Sequence, residues 1–151
     1  QELQKKVPKN IIMDIYTEWC GPCKLMDKNT FQNPDVAQYL NNNFYAVKFN
    51  AEGNKKVSFK GREFSNINYN ESLKGGRNAT HDFARYLGIS GYPTIVFFDK
   101  DANPIAPITG YLNPNQIEIY LKLFKDEKYK DIKSQEDFKK FMDGFTSEFK
   151  L

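Results

Sequence analysis

The chain has 151 residues, 40% hydrophobic and 15% aromatic, enough to bury a sizeable core in a single domain spanning 1–151. Its net charge of +3 comes from lysines interspersed with acids, which argues against a nucleic-acid surface and leaves DNA and RNA outside the expected partners. No apolar run approaches the roughly 18 residues that a membrane-crossing helix needs, and membrane contact is not expected.

The polar start Gln1-Glu2-Leu3-Gln4-Lys5-Lys6 lacks the apolar centre of a signal peptide and fits a mature terminus left after one was removed. Ile11-Ile12-Met13-Asp14-Ile15-Tyr16 then reads as a buried strand, 11–16, interrupted by one carboxylate. Asp14 sits either on a solvated strand face or inward beneath the next helix. Placed inward, desolvation raises its pKa and fits it to exchange protons with a thiol at neutral pH.

Trp19-Cys20-Gly21-Pro22-Cys23-Lys24 holds the only two cysteines, spaced for reversible disulfide chemistry. A thiol attacks as thiolate, and a Cys-x-x-Cys pair opening a helix, here from Gly21, lowers the first thiol's pKa by aiming free backbone N–H groups at its sulfur. Cys20 is the candidate nucleophile. A structural zinc site is disfavoured, because it takes a full tetrahedral set of ligands and the chain adds only His81. No metal is expected, and no cofactor beyond the Cys20–Cys23 pair itself. A purely structural bridge is the other reading, weakened because so short a loop restrains little of the unfolded chain.

Asn33 as N-cap and Pro34 at the first helical position open a short helix. Phe44-Tyr45-Ala46-Val47-Lys48-Phe49 follows as an aromatic and β-branched strand, 44–50. Its lysine, Lys48, either neutralises Asp14 across adjacent strands or snorkels from the strand end. Between 51 and 80, Val57 to Phe64 reads as a hairpin turning at Lys60-Gly61, and 65–79 is rich in Asn, Ser and Gly. That stretch is either a partner-docking surface or, as we favour, a surface elaboration tolerated because loop closure costs little with added length.

A helix near 80–87 stops at Gly88, with His81, the only histidine, at its start. A Cys–His hydrolase or transferase would need that histidine beside Cys20; thiol–disulfide chemistry does not require it. Pro93 in Gly91-Tyr92-Pro93-Thr94 cannot donate a hydrogen bond, so it should begin strand 94–99 rather than sit inside it. A turn from Asp99 to Pro104, a strand near 105–110 and a helix opened by Asn113-Pro114 complete the series. The succession predicts an α/β fold with a central mixed sheet covered on both faces. After Asp126, Phe138, Phe141, Met142, Phe145 and Phe149 recur at helical spacing behind a Ser134 cap. We expect that stripe to pack back on the domain, with a membrane surface or a partner as the alternative.

The acid six residues before the Trp-Cys-Gly-Pro-Cys-Lys motif, the lysine-bearing strand and the Gly-x-Pro-Thr segment together resemble the thioredoxin family over most of the chain. More closely, Asp14 to Cys20 followed by Lys24, Asn29-Thr30-Phe31 and Asn33-Pro34-Asp35-Val36 is similar to the periplasmic C-terminal domains of the DsbD thiol:disulfide interchange proteins and their soluble relatives. The resemblance implies a thioredoxin fold with an insertion near 51–80; it does not cover the C-terminal helical extension, 126–151. It implies Cys20 as attacking cysteine, Cys23 as resolving cysteine, Asp14 as the buried acid that assists it and Lys48 as that acid's partner. Pro93 matches the family's cis-proline, with Tyr92 lending its backbone to an extended substrate segment and Trp19 and Gly91 lining the groove. Gly21-Pro22 is the thioredoxin version of the dipeptide between the cysteines, and it points to the reducing end of the family.

The function so implied is reduction of protein disulfides through a Cys-Gly-Pro-Cys dithiol/disulfide cycle, with an upstream thiol electron donor. The expected setting is a monomer in the periplasm or another exported space, the cytoplasm being the alternative. A non-catalytic thioredoxin-like binding module, or an isomerase or oxidase, are the competing readings.

Overall fold

The computed structural model describes residues 1–125 and 127–150; Asp126 and Leu151, the two ends of the expected extension, lie outside the described residues. A short helix α1 (Glu2–Lys6) leads into strand β1 (Asn10–Tyr16). Helix α2 (Gly21–Met26) runs into a widened π turn (Asp27–Phe31), followed by α3 (Pro34–Asn43) and β2 (Phe44–Asn50). A hairpin, β3 (Val57–Phe59) and β4 (Arg62–Phe64), and helix α4 (Asp82–Tyr86) precede β5 (Thr94–Phe98), β6 (Pro104–Thr109) and α5 (Pro114–Lys125). The last helix is α6 (Gln135–Asp143).

The central sheet has the order β2-β1-β5-β6, with β1 and β2 parallel and the other pairs antiparallel, the mixed sheet expected from the sequence. Successive side chains on a strand point to opposite faces. On one face Ile12, Phe44, Ile95 and Phe97 pack with Met26, Val36, Leu40, Ile117 and Leu121 from α2, α3 and α5. On the other, Ile11, Ile15, Phe49, Val96 and Phe98 pack with Phe59, Phe64 and Phe83 from the hairpin and α4. The hairpin thus supplies core: Phe59 and Phe64 are buried and ring the Phe83 side chain at 5.3 and 5.1 Å. This corrects the reading of 51–80 as surface elaboration alone.

The start of α3 follows from its cap, since the Asn33 side chain accepts from the Asp35 and Val36 N–H groups at 2.9 and 3.2 Å and Pro34 has no N–H to lose. His81 does the same for α4: Nδ1 accepts from Phe83 N–H at 3.0 Å, so Nε2 carries the proton that it donates to the Lys55 carbonyl at 2.6 Å. Fully buried, it is a structural residue.

The tail departs from a continuous helix. Ser134 caps α6 as expected, but the helix ends at Asp143, so Phe145 and Phe149 lie beyond it. Phe138 stacks on Tyr120 at 5.8 Å, and the irregular strip after Gly144 returns to the domain, where Phe149 meets Tyr39 edge-on at 5.7 Å. Its anchor is Glu118 of α5, which is wholly buried and accepts from Ser147 Oγ, Glu148 N–H, Phe149 N–H and Lys122 Nζ at 2.6 to 3.2 Å.

Candidate active site

Cys20 and Cys23 are joined as a disulfide, their Cα atoms 5.3 Å apart. Cys20 occupies the N-cap of α2 in an extended conformation, and its Sγ accepts from the Cys23 N–H at 3.1 Å. Gly21 and Pro22 suit this turn, Pro22 falling in the first turn where its missing N–H is an orphan anyway. That N–H and the helix start would stabilise a thiolate charge on the Cys20 sulfur. Both cysteines are nearly buried.

The strand alternation that sends Ile12 toward α2 sends Asp14 the same way. Asp14 is 8% exposed and lines a cavity of about 310 Å³ together with Thr17, Cys23, Lys24, Asp27 and Lys48. Burial pushes its pKa up to about 6; Lys48 pulls it down and Asp27 pushes it up by smaller amounts. Asp14 Oδ1 and Thr17 Oγ1 are the two buried side-chain polar atoms without a hydrogen-bond partner among the described residues, and both residues line this cavity. A carboxyl poised near neutrality and sharing a cavity with the second cysteine can take or return that cysteine's proton.

The expected pairing of Lys48 with Asp14 is displaced. The two residues are direct neighbours in the β1–β2 register, but Lys48 Nζ pairs with Asp27 Oδ1 at 3.2 Å and lies over the Tyr16 ring at 4.9 Å. Asp14 is sunk in the sheet, whereas the lysine side chain is 56% exposed, so its head stays at the solvent edge and meets the acid there. Asp27 was absent from the sequence reading. Its position four residues after Cys23 on one helical face was the available signal, obscured by the π turn that begins at this residue.

The third side of the site is aromatic. Trp19 stands edge-on to Tyr92 with centroids 6.1 Å apart, and the Tyr92–Pro93 peptide bond is cis. Gly91 precedes them, its carbonyl accepting from Thr94 Oγ1 at 2.6 Å, and a Cβ there would press on Thr109 at 3.2 Å. Trp19 is fixed from the 51–80 segment: its Nε1 donates to Glu52 Oε1 at 2.9 Å, the same oxygen accepts from Asn78 N–H at 2.7 Å, and the Arg77 guanidinium lies 4.5 Å from the indole centre. Glu52, Arg77 and Asn78 carry no local sequence signal, because only the folded path of the segment brings them to the tryptophan. His81, by contrast, caps α4 and does not line the cysteine cavity. Among the described residues no group of acids, histidines and cysteines is arranged to hold a metal ion, and no helix is long and apolar enough to cross a membrane.

A model of the thioredoxin-like domain family matches residues 1–125, leaving α6 and the returning tail outside the match. The thiol:disulfide interchange protein DsbD of Tatumella citrea is 29% identical over 129 residues, 84% of this chain and 18% of that protein's length. The chain therefore spans less than a fifth of that relative. A thioredoxin-fold protein from Helicobacter pylori superposes with a TM-score of 0.63 at 23% identity, covering 90% of this chain and 81% of that one. The reduced C-terminal domain of DsbD from Neisseria meningitidis superposes at 0.54 with 18% identity, covering 82% and 88%. At those identities the two superpositions speak for the fold. With the family match running through the cysteine helix, the mixed sheet and the turn at Pro93, the chain belongs to the thioredoxin-like domain family.

Proposed function

We propose that this chain is a thiol–disulfide oxidoreductase that reduces protein disulfides, with Cys20 attacking and Cys23 resolving. The observation that carries this reading is the junction of three things at one helix start: a closed Cys20–Cys23 bridge, an aromatic rim formed by Trp19 and Tyr92, and a buried acid with a pKa of about 6 in the cavity that Cys23 lines.

The cycle balances in two exchanges. The Cys20 thiolate attacks one sulfur of a substrate disulfide lying against Trp19 and the Tyr92–Pro93 turn, which forms a mixed disulfide and expels the other substrate sulfur as thiolate. Cys23 then gives its proton to the Asp14 carboxylate and attacks the Cys20 sulfur, so the mixed disulfide breaks, the second substrate thiolate leaves and the Cys20–Cys23 bond forms. Two electrons have passed to the substrate, and a donor thiol must return them. Lys48, Asp27 and Thr17 act through Asp14 and the cavity. Gly21 and Pro22 shape the turn, and Gly91 the rim. With both cysteines committed to the pair and none left over, the chain suits an oxidising exported space such as the periplasm, where we place it, acting as a monomer.

The reduction potential of the pair tests this, read through the single tryptophan beside Cys20 while the protein equilibrates with thiol–disulfide buffers. A value near or below about −240 mV is expected; a value above about −160 mV would make the chain an oxidant or isomerase and reverse the electron flow. Cys23→Ser should trap mixed disulfides with protein substrates, and free turnover by that variant would remove Cys23 from the resolving role.

A further inference from the structure

Arg77 is the one guanidinium brought to the rim of the cysteine site, and neither the sequence pattern nor the cycle above gives it a task. It is exposed, it lies 4.5 Å from the centre of the Trp19 ring, and it makes no ion pair among the described residues. A guanidinium held over an indole by cation–π attraction keeps its planar fork of N–H donors, the geometry that matches a carboxylate. Its backbone is held in place. The turn through Gly75, at φ +86°, passes beside Glu18, and Asn78 is tied on one side to Glu52 through its N–H and on the other to Asn70 through its side chain. Glu52, the carboxylate at the indole edge, is already engaged by Trp19 and by Asn78. The cation is therefore pre-set, its donors are unspent, and it stands one side chain away from Cys20.

We propose that Arg77 is a specificity residue of this site, selecting disulfides whose flanking sequence carries an aspartate or glutamate that reaches across Trp19. This rests on the disulfide-reducing reading and names its substrate class. A substrate segment laid over the Tyr92–Pro93 turn covers the indole, excludes water from the guanidinium edge and so strengthens a pair that would be weak on an open surface. The preference should appear mainly in KM, because the pair forms on binding and the sulfur exchange does not alter it. It should shrink as salt is raised.

The test uses three disulfide peptides identical except for Glu, Gln or Lys beside the cysteine, reduced by the dithiothreitol-charged full chain. For the unsubstituted protein kcat/KM should favour the Glu peptide over the Lys peptide by about 10-fold at low salt, with the Gln peptide between. Arg77→Gln should bring that ratio close to one, and Arg77→Lys should keep part of it through charge without the planar fork. Equal rates on all three peptides, or a ratio that survives Arg77→Gln, overturns the role of Arg77 while leaving the reductase reading in place. No reduction of any peptide overturns both.

Discussion

Two carboxylates are buried among the described residues, and they behave oppositely. Asp14 under the cysteine helix has one oxygen without a partner, and burial carries its pKa up to about 6. Glu118 on α5 is fully enclosed, and burial alone would push it the same way, yet hydrogen bonds from Lys122, Ser147 and the backbone of Glu148 and Phe149 outweigh that and hold its pKa below the usual value. Desolvation is common to both; the supply of donors is not. A carboxylate surrounded by donors becomes an anchor, here for the returning tail. One denied them becomes titratable near neutral pH, which is what proton exchange with a thiol requires.

The largest effect should come from removing the anchor. Glu118→Ala strips the tail of its acceptor and leaves Lys122 with Glu148 alone, and a loss of about 3 to 5 kcal/mol in chemical denaturation is expected. A loss below about 1 kcal/mol would mean that the tail does not hold the domain together and would dissolve the contrast. Asp14→Asn should act with the opposite sign. Because the folded pKa of Asp14 lies above its ordinary 3.8, its contribution is fully present below that pH and lost as pH rises through about 6. Above that window the substitution should therefore stabilise the protein, by up to roughly 3 kcal/mol, and flatten the fall in stability across it. A variant no more stable than the parent at pH 8 would show that Asp14 is better solvated than its burial implies. Glu118 slopes the other way: its lowered pKa stabilises the fold above the ordinary 4.5 and is lost as pH falls through the folded value. On acidification the protection factors against amide exchange, which remove the pH dependence of the intrinsic rate, should fall at Glu148 and Phe149 and hold in β1 and β5, and a uniform fall would mean that the latch opens only with the whole fold.

The contrast also marks what sequence alone could and could not convey. Asp14 was legible because an acid inside an apolar strand run is conspicuous, and the period-two alternation that buries Ile12 determines which face it takes. The strand set and the caps at Asn33 and Ser134 were legible for the same local reasons, whereas His81 was legible only as lying at a helix start. Glu118 was not: a Glu–Lys pair four apart on a helix reads as solvated surface, and only the tail's return buries it. The tail misled through its phenylalanines, whose spacing continues past Gly144 although the chain there is irregular and Phe149 finds Tyr39 from outside any helix. Helix α1 is too short to be nucleated by its own sequence and depends on remote contacts, Gln4 donating to the carbonyls of Lys9 and Asp99 and Tyr45 OH to those of Leu3 and Val7.

The finest test of the contrast concerns the pair that flanks Asp14 without touching its unpartnered oxygen. Lys48 and Asp27 bind each other at 3.2 Å, so each reaches Asp14 only through space, the lysine lowering its pKa and the aspartate raising it. Replacing either one alone removes one influence and also frees the other from its partner. Lys48→Gln should raise the Asp14 pKa further above about 6, because the cation is lost and the anion remains; Asp27→Asn should lower it, because the anion is lost and the lysine is free to turn toward Asp14. Carboxyl chemical shifts followed by NMR titration would report both. The double substitution discriminates between causes: with both charges gone, a pKa still well above 3.8 assigns the shift to burial, as the cavity geometry requires. A return to the ordinary value would make the ion pair, rather than the missing donors, the difference between Asp14 and Glu118.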